Sequence, residues 1–470
     1  MHPVDFLILI IFLLVNVFVG FRIKRKVKDV NDYALGGRNF TTATLTATIV
    51  ATGLGGNYIT STISKVYSEG VIYILLTLSW SIAMVTIALI YIPRMKKFLG
   101  YISISKAMED LYGNPARIIT SVTGVIIGVG YIAIQFKVSA TVFSYFLGIP
   151  EIWALLITSG IVVAYSTFGG IRAVTFTDVV QFITFGTFIP ILALRIALNI
   201  NKNNIIHTTN PKFYISQLFD ISNPEISSKL ILILFIMLIP MFSPVWFQRI
   251  AMSKNVRQSK KSFLLSALFS GIITGFLCFI AILLYSSNPN IDTNKILMYI
   301  ADEYTYTGLK GFIVVGVLAL TMSTADSNIN ASCMLVHNDI FEPLGILKNI
   351  NSLLLIRVFS LVIGIFGIIL AFCFDSLMKI LFFTLAYYLP IVNVPFILAI
   401  FGFRSKGMPV YIGMAAGFIT VIYCQITKVT MVESFIPGMI ANFVFFLGSH
   451  YLMRAEGGWG KETSVATKIL

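Results

Sequence analysis

Ser323 and Thr324 stand side by side in the run Leu320-Thr321-Met322-Ser323-Thr324-Ala325-Asp326-Ser327-Asn328, inside a long apolar segment. On a helix, adjacent side chains are about 100° apart, so both hydroxyls can border one pocket. Neutral oxygens of this kind suit a small hard cation. A second supply of oxygens lies upstream, in Thr46 to Thr62, which reads T-A-T-I-V-A-T-G-L-G-G-N-Y-I-T-S-T. Each glycine weakens a helix by roughly 1 kcal/mol relative to alanine. Gly53, Gly55 and Gly56 together predict a break that frees carbonyls around Ala51 and Leu54. Two plainer readings stand beside this one. Serine and threonine hydroxyls also bond back to their own helix, and glycines also permit close helix packing.

Other polar residues share the apolar segments. Asp326 falls one turn beyond Ser323, and Asp178 lies in Thr175-Phe176-Thr177-Asp178. Either could attract a departing cation, because ionisable groups at membrane depth are expensive and point to function. Asp178 could equally cap a helix or pair with Arg172. Gln135 and Lys137 share one segment; Gln135, neutral and hydrogen-bonding, is the better candidate for a solute contact. Lys137 has three readings: a carboxylate contact, an internal ion pair, or a snorkelling chain. Trp80 and Trp246 could wall a pocket or simply pack. The four cysteines lie in apolar segments without paired metal-ligand spacing and read as buried thiols. No nucleophile–base constellation or phosphate loop is present, so the chain is not expected to be an enzyme.

These groups need elements to hold them. The 470-residue chain is 57% hydrophobic and only 11% charged, whereas a soluble domain carries about 25% charge. That composition predicts an all-α integral membrane protein. Thirteen spans of suitable length are expected: 4–22, 40–64, 71–93, 117–147, 151–168, 173–198, 229–250, 262–286, 309–336, 352–374, 377–402, 408–426 and 433–452. The net charge of +14 does not point to nucleic acid, because the bases sit in short loops. With the N-terminus outside, 24 of them fall on the inner side, in 22–38, 94–117, 249–261, 348–357, 404–406, at Arg172 and in the tail. The outer side receives Lys65, Lys202, Lys212, Lys229, Lys295, Lys310, Lys379 and Lys428. This asymmetry predicts N-outside, C-inside in a cell membrane.

The organisation is expected to be 1–39, a peripheral helix and basic loop; 40–198, a first group of five helices; 199–228, an outer loop; 229–402, a second group of five; and 403–470, two peripheral helices and a short tail. Five is odd, so the second group starts with inverted orientation. Each group opens on an interrupted helix, the first at the glycines and the second at Pro240-Met241-Phe242-Ser243-Pro244. Interrupted segments at matching positions of two halves point to a transporter binding site.

Several motifs together resemble the sodium:solute symporter family. Asp32-Tyr33-Ala34-Leu35-Gly36-Gly37-Arg38 is similar to its D-Y-x-x-G-G-R signature. Tyr165-Ser166-Thr167-Phe168-Gly169-Gly170-Ile171-Arg172, with Thr177-Asp178-Val179-Val180-Gln181, resembles its most specific motif. Phe247-Gln248-Arg249 and Met322-Ser323-Thr324-Ala325-Asp326-Ser327 resemble two more. The resemblance implies a LeuT-type fold with a five-plus-five inverted repeat, one helix before it and two after. It implies sodium-coupled symport of a small polar organic solute, such as an amino acid or carboxylate, by alternating access. Sodium would bind the carbonyls of Ala51, Leu54 and Leu320 and the hydroxyls of Ser323 and Thr324, with Asp178 on its exit path. The solute would meet Gly53, Asn57, Tyr58, Gln135 and Trp246. Sodium, solute and lipid are the expected partners, with no organic cofactor. The pattern fits no one substrate branch: Gly53 stands where sodium/proline symporters have an aspartate, and Gly53 and Ser243 where choline transporters have tryptophans. A transporter-like solute sensor and a proton-coupled carrier of the same fold are the alternative readings.

Overall fold

The computed structural model describes residues 2–24, 27, 29–200, 210–220, 222–345, 349–374, 377–427 and 431–460. Of the bases counted above, Arg25, Lys26, Lys28, Lys202, Lys348, Lys428, Lys461 and Lys468 lie outside them, as do parts of the 199–228 loop and of the tail. Among the described residues the regular structure is helical apart from one antiparallel pair, β1 (Phe403–Ser405) and β2 (Gly457–Trp459). In order the helices are α1 (Pro3–Lys24), α2 (Val30–Leu35), α3 (Thr42–Gly53), α4 (Gly56–Glu69), α5 (Val71–Thr86), α6 (Ile104–Tyr112) and α7 (Asn114–Leu147). There follow α8 (Glu151–Asn199), α9 (Pro224–Leu238), α10 (Pro244–Ala251), α11 (Val256–Ser287), α12 (Ile296–Glu303) and α13 (Leu309–Met334). The last are α14 (Ser352–Cys373), α15 (Leu377–Tyr388), α16 (Val394–Ile400), α17 (Gly407–Ile426) and α18 (Met431–Leu452).

Among the described residues, ten helical stretches are long and apolar enough to cross a membrane. The difference from the thirteen expected spans has a physical source at three places. The 40–64 and 229–250 spans are each two short helices, α3–α4 and α9–α10, meeting at a break. The 151–168 and 173–198 spans run on as α8, which is non-helical only at Gly170. There φ is 59° and ψ −166°, a region open essentially to glycine alone. A methyl at Gly170 would also lie 2.8 Å from the Tyr33 ring.

α13 is the axis of the molecule. Every residue from Ile313 to Met334 is buried, as expected of a helix walled by others on all sides. It packs against α7 and α8, with α1 and α14 alongside. A short helix precedes the third long helix of each group: α6 before α7 and α12 before α13. α6 stands at the basic end of the molecule and α12 at the other, which is the relation an inverted repeat produces.

The loops gather at two ends. At one, the Arg38 guanidinium donates to the carbonyls of Ser253 (2.7 and 3.0 Å) and Lys254 (3.0 Å). Arg172 pairs with Asp32 at 2.7 Å, and Arg117 with Asp339 at 3.0 Å and Glu109 at 2.8 Å. At the other, Lys229 bridges Glu69 and Glu225 at 2.8 and 2.7 Å. Partial burial pushes the Glu69 carboxyl up, but Lys229 and Lys65 outweigh it and hold the group below the usual carboxylate range. Asp5 accepts from the Gly308 and Gly311 amides at this end.

Gly170→Ala is expected to cost about 1–3 kcal/mol through backbone strain and the Tyr33 contact. Gly160→Ala, where a methyl meets nothing within 4 Å, is the control. Denaturation midpoints of the two variants in detergent micelles check this; equal midpoints would contradict it.

Candidate functional site

The site is built where α3 stops. The Leu54 amide closes the last helical turn on Val50 O at 3.0 Å, and the chain re-enters a helix at Gly56. Backbone groups left open here must find partners, because the surroundings offer no bulk water. The Ser323 hydroxyl donates to Ala51 O at 2.7 Å, or to its own-helix carbonyl Leu320 O at 3.0 Å. The Thr324 hydroxyl has the same choice between Thr52 O at 3.3 Å and Leu320 O at 3.2 Å. Both sequence readings of these hydroxyls, oxygen supply and back-bonding, therefore coexist. Ala51, Leu320, Ser323 and Thr324 come together as expected. Thr52, which the sequence did not single out, supplies a second α3 carbonyl facing α13. No side-chain hydrogen bond to the Leu54 carbonyl is found among the described residues.

On the other side of the break, the Gly56 amide donates to Gln135 Oε1 at 2.9 Å. Gln135 Nε2 in turn donates to Asn57 Oδ1 at 3.3 Å. Gln135 thus closes the open N-terminus of α4. Gly56 itself is packed tight: an added methyl would lie 2.1 Å from Thr321 Cγ2. At Gly53 a methyl would lie 3.0 Å from the Trp246 ring and 3.5 Å from Trp80 Nε1. Gly53, Trp80 and Trp246 therefore form one group, and Asn57 and Gln135 a second. Tyr58 turns toward neither: its hydroxyl meets Thr274 Oγ1 at 2.8 Å and Thr77 O at 3.3 Å.

The second break is answered in the same way. Asn393 donates to Pro240 O at 2.6 Å and accepts from the Phe242 amide at 3.0 Å. Tyr388 donates to Phe242 O at 2.7 Å and Tyr91 to Leu238 O at 2.9 Å. Asn393 ends a π-helical turn, Leu389–Asn393, a distortion frequent at functional sites.

Below Thr324 lies a buried charge cluster. The Arg249 guanidinium donates to Ser327 Oγ (2.5 Å), Thr52 Oγ1 (3.0 Å) and Asp178 Oδ2 (3.5 Å). Thr48 donates to the same Asp178 oxygen, and Tyr165 donates to Asp326 Oδ2 at 2.8 Å. Asp178, Arg249 and Asp326 are all fully buried. Two expectations change here. Asp178 does not pair with Arg172, whose partner is Asp32. Arg249, counted above as a loop base, is the central cation of this cluster. Lys137 also resolves: its ammonium donates to Phe374 O at 2.6 Å and Ala371 O at 3.5 Å, capping the C-terminus of α14 where the helix dipole favours a cation. The sequence carried no signal for Asn393, which stands within an apolar run.

The sequence profile of the Sodium:solute symporter family matches residues 33–433. The chain belongs to this family. It is 23% identical over 370 residues to a sodium/sialic acid symporter, NanT, of Aliivibrio fischeri, covering 75% of this chain and 72% of that protein. It is 23% identical over 361 residues to the sodium/sialic acid symporter SiaT of Proteus mirabilis, covering 73% and 72%. Its structure is similar to that of a Na+-coupled sialic acid symporter in a substrate-bound outward-open state, with a TM-score of 0.87 at 19% identity over 98% of this chain and 100% of that one. The chain thus has the LeuT-type fold and is a membrane transporter, not an enzyme.

Gly56→Ala is expected to push α4 off α13 and lower the denaturation midpoint. Adding Thr321→Ser, which deletes the clashing Cγ2 but keeps the hydroxyl, should recover part of the loss. Purely additive effects of the two substitutions would contradict this.

Proposed function

We propose that the chain carries a small organic solute into the cell together with sodium, by alternating access. The observation that carries the reading is the aim of the Ser323 and Thr324 hydroxyls at carbonyls freed by the α3 break. A sodium ion entering there would displace two hydroxyl–carbonyl hydrogen bonds and take the oxygens of both partners. Ala51, Leu320, Ser323 and Thr324 are assigned as ligands on this basis, with Leu54 from the family resemblance and Thr52 as an added carbonyl.

Asp178 is assigned to the inward path of the ion. Its Oδ1 is buried with no hydrogen-bond partner among the described residues, and so is Asp326 Oδ1. Both atoms belong to the cluster beneath Thr324, on the side of Arg38 and Arg117. We assign that side to the cytoplasm. The loops that carry most of the bases touch one another there, which supports the N-outside, C-inside orientation and the count of thirteen spans, with α3–α4, α9–α10 and the two parts of α8 as spans. The division into 40–198 and 229–402 follows the two breaks. The coupling energy available is about 2.3 kcal/mol per charge per 100 mV, plus the sodium gradient.

Ser323→Ala with Thr324→Ala is expected to abolish sodium-stimulated solute accumulation in proteoliposomes while leaving the fold intact. Unchanged sodium dependence would remove the assignment.

A further inference from the structure

Lys137 and Glu151 line one recess, where α7, the start of α8 and the end of α14 meet. They are its only polar side chains, and the rest of the lining is aliphatic or aromatic. The Lys137 ammonium donates to Phe374 O at 2.6 Å and to Ala371 O, of a lining residue, at 3.5 Å. Two of its three N–H groups thus meet neutral carbonyls, and the third is left over. The Thr141 hydroxyl donates to Glu151 Oε1 or to Lys137 O, both at 3.1 Å, which sets the carboxylate against the turn of α7 that follows Lys137. Glu151 Oε2 has no donor among the described residues. Neither charged group forms an ion pair among those residues, with the other or with a third group. The recess has a volume of about 100 Å³, room for roughly three waters: enough for a phosphate or an ammonium group, too little for a chain. Its surroundings are apolar and uncovered. Ile152, Trp153 and Leu156 on α8 and Ile369 and Phe372 on α14 are exposed. Trp153, two residues from Glu151, is the residue type enriched where a membrane meets water.

We propose that this recess holds the head group of a phosphatidylethanolamine lipid, with its phosphate on Lys137, its ammonium on Glu151 and its acyl chains along the exposed faces of α8 and α14. Two opposite charges that line one recess without pairing suit a ligand that carries both signs. An ethanolamine head brings an anion for the ammonium and three N–H donors for the carboxylate, and charge-assisted hydrogen bonds of this kind are the strong ones. A choline head has the same charges but no N–H to give Glu151. Its quaternary ammonium favours aromatic faces, and the lining has one ring, Phe372. A glycerol head adds a negative charge to a site whose own charges cancel, and offers Glu151 no cation. The exposed apolar faces decide between a lipid and its soluble head group, because only the lipid covers them.

The test uses the full chain in detergent micelles doped with dioleoyl phosphatidylethanolamine, phosphatidylcholine or phosphatidylglycerol. Thermal stabilisation reports binding by mass action, and native mass spectrometry after exposure to an equal mixture reports which lipid is retained. The wild type is expected to be stabilised most by phosphatidylethanolamine and to retain it over the other two. Lys137 is left in place because it also caps α14. Glu151→Gln should lower the preference for phosphatidylethanolamine over phosphatidylcholine about tenfold. Glu151→Lys, which sets two cations at the recess, should turn the preference to phosphatidylglycerol. Both substitutions fall on an exposed residue, and unchanged midpoints in lipid-free detergent confirm that the fold is kept. Equal retention of the three lipids by the wild type, a wild-type preference for phosphatidylcholine or phosphatidylglycerol, or an ethanolamine preference that survives Glu151→Gln overturns the proposal. So does stabilisation by soluble glycerophosphoethanolamine that matches the lipid.

Discussion

Every backbone amide and carbonyl inside a membrane must be paired by protein, and this requirement governs the molecule. Two helices are broken where they cross the apolar interior, and each break exposes groups that a continuous helix would have satisfied. At α9–α10 the answer is permanent: Asn393, Tyr388 and Tyr91 hold Pro240 O, Phe242 N, Phe242 O and Leu238 O. At α3–α4 the answer is exchangeable. Ser323 and Thr324 each choose between an α3 carbonyl and their own Leu320 carbonyl. A hydroxyl with two acceptors within reach can release one without being orphaned. One break is thus closed by hydroxyls with two acceptors each, and the other by an amide and two phenols.

The motifs of the family become joints in this structure. In D-Y-x-x-G-G-R, Asp32 holds Arg172 and Arg38 holds the turn after α10. Tyr33 lies against Gly170, where α8 is broken. Gln248 donates to Ala34 O at 2.8 Å and to Asn330 at 3.0 Å, tying α10 to the same loop and to α13. One short segment thus fastens both parts of α8 and α10, the second half of the second broken helix. Those contacts all lie at the basic end.

Much of this was legible from the residues. The glycine and proline runs predicted both breaks, because glycine and proline act on the backbone locally. The Ser323–Thr324 pair was legible for the same reason: adjacent hydroxyls in an apolar helix are a local anomaly. What sequence could not deliver was pairing across long separations. Asp178 finds Arg249 rather than Arg172, a choice set by how α8 and α10 cross. Lys137 was ambiguous until the end of α14 was placed beside it. Asn393 looked like one polar residue in an apolar run and is the clamp of the second break. The matched short helices α6 and α12 were too short to announce themselves by hydropathy, yet they mark the inversion most directly.

The buried charges sort themselves by distance from the exchangeable break. Arg249 draws on Ser327, Thr52 and Asp178, and Asp326 leans on Tyr165. A guanidinium with several partners in fixed geometry is retained where a lone cation would be expelled. Because Thr52 offers its carbonyl to Thr324 and its hydroxyl to Arg249, one residue touches both the Thr324 hydroxyl and the charge cluster. A cation that draws on the Thr52 carbonyl would pull on the same backbone that positions the Thr52 hydroxyl against Arg249. On the opposite side of the break, Gly53 carries no side chain and lies against two indoles. Three successive residues, Ala51, Thr52 and Gly53, thus face Ser323 on α13, the charge cluster and the Trp80–Trp246 pair in turn.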